Sequence, residues 1–376
     1  MKKFEYITVL RALAILGVLS AHIYQITAQS KLLPNYLASF LGNGDKGVEL
    51  FYLLSAFTLF HSMSIRNKEE KSPNRNFFIR RFFRIAPMYY LAIIYYLWQD
   101  GFGPRFWLDG LNQVSALNIV SNFTFLHGFN PYWINSVVPG GWSVGIEMVF
   151  YCMLPFLFSR IKNIQHAANF IIITYVIRFI CFRILYTFPL IPDHAFWYSY
   201  LHFYFPNQLP VFALGIFLYF LIYDDPAKIS RKTLFLMAII LIVGINPPFD
   251  DLHFYAFCFI LLALALERYH PKVLFNKFIL HIGNISYSIY LTHFAVIYLI
   301  EKLGIFNMVS GNGKATSAIN YMLNYAMLLL GAIVVSTITY ILIEVPMQKV
   351  GKNMIRRLSV RSHNPQVDIV TAKSDD

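Results

Sequence analysis

Two ionisable side chains, Arg11 and His22, lie inside the first apolar stretch of the sequence, YITVLRALAILGVLSAHIYQI. Their spacing corresponds to about three helical turns, so both side chains share one face of a helix, about 16 Å apart. Charged and titratable groups are costly inside a membrane helix and usually mark a functional site. An arginine near a helix end can instead reach the lipid headgroups, and a lone histidine can simply pack. The pair on one face favours chemistry, with the histidine as the group that exchanges a proton near neutral pH.

A carboxylate, Glu147, falls in another apolar stretch, PGGWSVGIEMVFY. It needs either a partner or a water-filled cavity at that depth. Pairing with Arg178 or Arg183 of the next span is one interpretation. The other is a place beside His22, where the carboxylate would orient the base or contact a common substrate.

Trp142 and Ser143 lie at the rim of the same stretch. They are candidate substrate contacts, because an indole ring can stack on a sugar ring. A tryptophan at this position also suits the membrane interface without any further role.

Three arginines, Arg80, Arg81 and Arg84, end the basic segment RNKEEKSPNRNFFIRRFFR. Arg81 and Arg84 are three residues apart and therefore share a helix face. Guanidinium groups bind phosphates with a fork geometry, so the pair is a candidate clamp for a phosphorylated ligand. The alternative is an anchor that binds lipid phosphates.

Further polar positions carry weaker signals. Glu49 and Asp45 flank the start of the second apolar stretch, where they either bind a sugar hydroxyl or cap the helix. Ser286 and His293 in NISYSIYLTHF are interpreted as a packed polar pair. Glu344 is expected to lie at the interface with an arginine partner.

Composition indicates the class of protein that must position these groups. Of the 376 residues, 57% are hydrophobic and 13% are charged, and the mean hydropathy is +0.53. Apolar runs long enough to cross a bilayer recur along nearly the whole chain, without the alternation typical of barrel strands. We therefore predict an all-α polytopic membrane protein with a re-entrant half-helix at 114–128. The ten predicted spans are 7–26, 47–65, 83–98, 141–159, 168–187, 208–223, 234–247, 252–267, 285–301 and 322–343.

The distribution of charge predicts the orientation of these spans. Most of the 31 lysines and arginines fall in the loops on the side of the N-terminus, which places both termini in the cytoplasm. This bias also explains most of the net charge of +12, and no basic aromatic domain supports nucleic-acid binding. We predict one membrane domain over 1–350 and a polar, disordered cytoplasmic tail over 351–376.

No cofactor motif stands out. The three cysteines, Cys152, Cys181 and Cys258, fall in predicted spans without metal-ligand spacing. The sequence also lacks a P-loop and a GxGxxG fingerprint. We therefore expect no metal and no resident nucleotide.

Several stretches together resemble the acyltransferase-3 family of integral-membrane O-acyltransferases. They are LRALAILGVLSAHIY, GVELFYLLSAFTLF, IRRFFRIAPMYYL, GGWSVGIEMVFY, NISYSIYLTHF and IEVPMQKVG, in the order of the family. The resemblance runs from residue 10 to about 351, almost the entire chain.

The resemblance implies a reaction and a location. Family members transfer an acyl group, usually acetyl, from cytoplasmic acyl-CoA to a carbohydrate hydroxyl outside, as on O-antigen or exopolysaccharide. The expected location is the bacterial inner membrane, with lipid, acyl-CoA and an envelope glycan as partners. The oligomeric state is left open.

The resemblance also implies roles for residues. The Arg-x10-His motif maps onto Arg11 and His22, with His22 catalytic either as general base or as acyl acceptor. Arg81 and Arg84 match the Arg-x-x-Arg motif and, with Arg11, would contribute to acyl-CoA binding. The fourth-span motif matches Trp142, Ser143 and Glu147.

Two departures from the family pattern, Ala56 in the second span and Met148 in the fourth, leave that core unchanged. A transporter or flippase is the competing hypothesis, because such proteins also use buried Arg, His and Glu side chains. An inactive scaffold that keeps only the fold is a third.

Overall fold

The computed structural model describes residues 4–27, 32–103, 113–244, 252–311 and 313–361, and within these ranges all regular secondary structure is helical. The prediction of an all-α protein is confirmed. The α-helices are α1 (Glu5–Ile26), α2 (Asn35–Gly42), α3 (Gly47–Glu69), α4 (Pro73–Asp100), α5 (Ala116–Phe123), α6 (Gly141–Arg160), α7 (Ile164–Thr187), α8 (His194–Phe203), α9 (Phe205–Tyr223), α10 (Arg231–Gly244), α11 (Leu252–Arg268), α12 (Lys277–Asn284), α13 (Ser286–Lys302), α14 (Lys314–Thr339) and α15 (Val345–Arg361).

Six helical segments within the described ranges are long and apolar enough to cross a membrane, which makes this a multi-pass membrane protein. They are Glu5–Ile26, Asn35–Glu69, Gly141–Arg160, Ile164–Thr187, Phe196–Tyr223 and Lys314–Ser359. Among the other predicted spans, one corresponds to α13, with 17 residues, and another to α10, which is described only as far as Gly244. A perpendicular crossing needs about 20 residues, so the number of ten spans and the cytoplasmic termini stay predictions.

Two predicted segments, the span at 234–247 and the tail at 351–376, extend beyond the residues that the structure describes. The span predicted at 234–247 extends past Gly244, and its last residues lie outside the described part of the chain. Of the predicted tail, residues 351–361 belong to α15, and residues 362–376 lie outside the described part of the chain.

Helix α1 occupies the centre of the bundle. It packs against α3, α12, α13 and α14, and residues along its whole length are buried, from Tyr6 to Ile23. A helix that is apolar on nearly all sides is stable only when it is surrounded. The central position of α1 places Arg11 and His22 inside the protein rather than at the lipid surface.

Glycines allow the neighbouring backbones to approach α1 closely. A Cβ atom on Gly44 would lie 2.1 Å from the carbonyl oxygen of Gly17, and one on Gly283 would lie 2.0 Å from that of Thr8. Small residues at such contacts permit the tight packing on which membrane bundles depend. One contact lies in the first turn of α1 and the other near its middle, and together they fix its position.

We predict that Gly283→Ala destabilises the protein, because the added methyl would overlap the backbone of α1 at Thr8. Overpacking of this kind costs about 1–3 kcal/mol or more. Thermal unfolding of detergent-purified protein would show a lower midpoint than the wild type. The matched control is Gly103→Ala, whose Cβ meets nothing within 4 Å. Equal midpoints for Gly283→Ala and the wild type would contradict the packing argument.

The segment predicted as a half-helix contains the short helix α5, which packs its polar side into the protein. Asn122 donates to the Asn118 side-chain oxygen at 3.0 Å and accepts from the Tyr89 hydroxyl at 3.0 Å. Ser136 donates to the same Asn118 oxygen at 2.8 Å. Polar groups at membrane depth need such partners, and this network holds α5 against α4. Its insertion from one side of the membrane stays a prediction.

Candidate active site

Two cavities lie one after the other along α1. The first, which we call the arginine pocket, has a volume of about 100 Å³ and is lined by Arg11, Arg81, Arg84 and Glu147 among others. The second, the histidine cavity, has a volume of about 870 Å³ and is lined by His22, Glu49 and Trp142 among others. Val48 and Tyr290 line both cavities and therefore form the wall between them.

The guanidinium groups of the arginine pocket differ in their partners. Arg11 donates to the Thr58 hydroxyl at 3.4 Å, a long contact. Arg84 forms a salt bridge of 2.5 Å with Glu344. The Nε–H group of Arg81 is buried and has no hydrogen-bond partner in the described residues. A buried donor without an acceptor is costly, so the pocket is suited to an anionic or carbonyl oxygen of a ligand.

The third member of the arginine cluster, Arg80, faces a different partner. It contacts both carboxylate oxygens of Glu70, at 2.8 and 3.2 Å. Partial burial of Glu70 opposes ionisation, but hydrogen bonds from Arg80, Asn76 and Arg66 outweigh it and hold the pKa of Glu70 below its ordinary value. Arg80 thus stabilises the loop between α3 and α4 and does not line the arginine pocket.

Glu147 lies in the arginine pocket and not beside His22. It accepts hydrogen bonds from the Ser55 hydroxyl and the Tyr151 hydroxyl, both at 2.5 Å. Of the two partners considered for Glu147, Arg178 and Arg183, the first donates to Asn207 at 2.6 Å. Six residues along α6 carry Glu147 about 9 Å from Gly141, which is far enough to pass the wall at Tyr290. Its predicted role as the group that orients His22 is therefore corrected.

His22 faces the histidine cavity with one ring nitrogen engaged. Its Nδ1 contacts the Gln25 side-chain oxygen at 3.3 Å. An amide oxygen can only accept, so Nδ1 carries the proton and Nε2 keeps its lone pair. This tautomer leaves Nε2 able to take a proton from a hydroxyl group or to attack a carbonyl carbon.

A second histidine, His293 on α13, stacks on His22 with ring centroids 5.2 Å apart and an interplanar angle of 26°. Its Nδ1 donates to the carbonyl oxygen of Tyr290 at 2.8 Å, and its buried Nε2 has no partner in the described residues. The sequence interpretation as a pair with Ser286 missed this contact. The motif NISYSIYLTHF contains the residue, but only packing of α13 on α1 brings the two rings together.

The remaining predicted residues divide between the cavities. Trp142 and Glu49 line the histidine cavity. Ser143 lines the arginine pocket and donates to the Tyr290 hydroxyl at 2.8 Å, which in turn donates to the Gly140 carbonyl at 2.9 Å. Ser143 therefore stabilises the wall between the cavities, and its contact with substrate stays a prediction.

Comparison with known proteins gives a match over most of the chain. The sequence model of the acyltransferase-3 family, described as an acyltransferase domain, matches residues 4–341. A Staphylococcus aureus (strain COL) protein named "Putative O-acetyltransferase" is 25% identical over 97% of this chain and 61% of its own. The O-acetyltransferase OatA of S. aureus (strain NCTC 8325) is 24% identical over 91% of this chain and 57% of its own. The chain thus spans about three fifths of the length of these relatives. No solved structure matches it.

Proposed function

This chain belongs to the acyltransferase-3 family, and from that premise we propose that it transfers an acyl group, acetyl by expectation, from acyl-CoA to a hydroxyl of an envelope glycan. The observation that carries the proposal is the division of the site into two adjoining cavities. One is lined by arginines and suits an anionic donor, and the other is lined by a histidine with a free Nε2 and suits a hydroxyl-bearing acceptor. A transferase needs both substrates on opposite sides of one reacting group.

The donor side rests on the charges of the arginine pocket. Arg11, Arg81 and Arg84 line it together with a single carboxylate, Glu147. Its volume is about 100 Å³, much smaller than that of the histidine cavity. Such a space takes one phosphoryl group or the end of the acyl-CoA arm, and the nucleotide would lie outside at the cytoplasmic face. Glu147 holds the pocket together by balancing part of the positive charge.

The route from donor to acceptor follows α1. About 16 Å separate Arg11 from His22 along the helix, comparable with the length of the pantetheine arm. The arm would pass the wall formed by Val48 and Tyr290. A thioester that reaches His22 in this way meets the acceptor at the histidine cavity, on the far side of the membrane from the nucleotide.

Two chemical routes fit the tautomer of His22. In the first, Nε2 takes the proton of the acceptor hydroxyl while its oxygen attacks the thioester carbonyl, and the departing CoA thiolate recovers that proton. In the second, Nε2 itself attacks the thioester and releases the CoA thiolate. The acceptor hydroxyl then displaces histidine from the acyl-imidazolium, and the hydroxyl proton passes to the thiolate. Both routes require that Nδ1 of His22 stays hydrogen-bonded to the Gln25 side chain.

We place the protein in the cytoplasmic membrane with the arginine pocket on the inner side. The excess of lysine and arginine in the loops that are predicted to lie on the same side of the membrane as the N-terminus supports this orientation. Acyl-CoA is made in the cytoplasm, so the donor pocket and the donor would then share a compartment.

We predict that Arg81→Ala raises the KM for acetyl-CoA about 10- to 100-fold with a smaller change in kcat, because a charged hydrogen bond to the donor is worth about 1.5–3 kcal/mol. The measurement follows labelled acetyl from acetyl-CoA into base-labile ester on the native glycan in isolated membranes. Arg75→Ala is the matched control, since Arg75 is exposed on the same end of α4. Glycan movement across the membrane without any ester formed would instead favour a flippase.

A further inference from the structure

The histidine cavity has a one-sided charge. Four carboxylate side chains line it, those of Asp45, Glu49, Asp100 and Glu301, and no lysine or arginine does so among the residues that the structure describes. The titratable histidines on its wall are His22 and His202. Two lysines lie close by without lining the cavity: Lys46 acts electrostatically on Glu49, and Lys302 lies over the ring of Tyr298 at 5.8 Å. A cavity with this lining attracts cations, tolerates neutral groups and repels anions.

Among these carboxylates, Glu49 has the surroundings expected of a ligand-binding group. Its side chain is 3% exposed, and Oε2 has no hydrogen-bond partner in the described residues. Glu49 lies in the first turn of α3, where the helix dipole favours a negative charge. The dipole does not supply a hydrogen bond to Oε2 of Glu49. A hydroxyl or amine hydrogen of a bound ligand would supply this hydrogen bond.

Aromatic walls complete the cavity. Trp142, Tyr96, Tyr298 and Phe203 all line it, and flat rings of this kind pack against the C–H faces of sugar rings. The volume of about 870 Å³ lies within the range of sites that enclose a small molecule, about 300–1,000 Å³. Carboxylate acceptors between aromatic walls match a neutral or positively charged polyhydroxyl ring better than a negatively charged one.

We propose that the acceptor unit bound in the histidine cavity is a neutral or amino sugar, with a hydroxyl or amine hydrogen donated to Glu49. Units that carry a carboxylate or phosphate, such as uronic acids, are excluded by the four carboxylates. The inference rests on the proposed function for the identity of this cavity as the acceptor site, but it concerns binding and is testable without turnover.

The test measures binding of three disaccharides that differ only in the terminal unit, glucose, glucosamine or glucuronate. The full chain is purified in detergent, and saturation-transfer NMR reports each affinity. Like charges in a cavity of low polarity repel strongly, so we expect the glucuronate probe to bind at least about tenfold more weakly than the other two. Glu49→Gln should reduce the difference in affinity between the glucuronate probe and the other two probes severalfold. The control is Glu69→Gln, at the exposed far end of the same helix.

The outcomes separate this inference from the proposed reaction. Neutral and amino probes that bind without ever being acetylated would support the inference and count against the reaction. Glucuronate that binds as tightly as glucose would overturn the inference, even in a protein active as an acetyltransferase. Discrimination unchanged in Glu49→Gln, or no binding of any probe, would overturn it as well.

Discussion

Replacing His22 with alanine is expected to reduce acyl transfer by about 10²–10⁴-fold, the usual contribution of a positioned base or nucleophile. The variant loses Nε2, the ring nitrogen that the Gln25 contact leaves free, so neither route to the ester remains. Mass spectrometry of purified envelope glycan, from cells with matched membrane levels of each protein, gives the measurement. Base-labile acetyl should appear with the wild type and be lost in His22→Ala.

The fold should survive this substitution. His22 is half-buried at a cavity wall, and its polar contact is with exposed Gln25. His166→Ala serves as the matched control, because that side chain is exposed on α7 and contributes to neither cavity. Acetyl that persists in His22→Ala would remove the histidine from the mechanism while leaving the reaction class intact.

The same variant separates the two chemical routes. Wild-type protein incubated with labelled acetyl-CoA and no acceptor would carry protein-bound, hydroxylamine-sensitive label only if His22 accepts the acyl group. Loss of that label in His22→Ala would assign it to the imidazole. A wild type that never carries label would favour direct attack by the acceptor hydroxyl.

Local periodicity was sufficient to place Arg11 and His22. Both lie on α1, and the rise of a helix alone determines their separation and shared face. The all-helical class also follows from composition. The number of spans does not follow from composition, because hydropathy alone does not give the length of an apolar helix such as α13, with 17 residues.

The positions of Glu147 and His293 required tertiary information. Sequence gives the depth of a side chain along its own helix, but not which neighbouring helix it faces. Glu147 was assigned to the level of His22 and instead faces Ser55 and Tyr151 in the arginine pocket. His293 stacks on His22 across 271 positions of sequence, a contact that the spacing of a single motif does not encode.

Glu344 is another residue whose surroundings required tertiary information. An arginine partner was expected, and the structure supplies Arg84. The Glu344 side chain is fully buried within the protein and also accepts a hydrogen bond from Ser288. A π-helical turn over Tyr340–Glu344 turns the carboxylate inward, and such local insertions occur often at functional sites.

Glu344→Ala is expected to destabilise the protein by about 3–5 kcal/mol, because removal of one partner leaves the other charge buried and unpaired. The Arg84 side chain is 25% exposed and that of Glu344 is 0% exposed, so water relieves Arg84 only in part. Thermal unfolding of purified protein would show the loss as a lower midpoint. The double variant Arg84→Met with Glu344→Leu should recover much of it, since apolar groups of similar volume often replace a buried ion pair without cost.

The double variant also decides whether Arg84 serves structure or donor binding. If Arg84 contacts the donor, the stable double variant keeps a raised KM for acetyl-CoA although its fold is restored. If Arg84 only balances Glu344, stability and KM recover together. Arg81, whose buried Nε–H lacks a partner in the described residues, would then be the main phosphate ligand of the pocket. A pocket that divides its arginines in this way would use one to hold α4 against α15 and another to hold the donor.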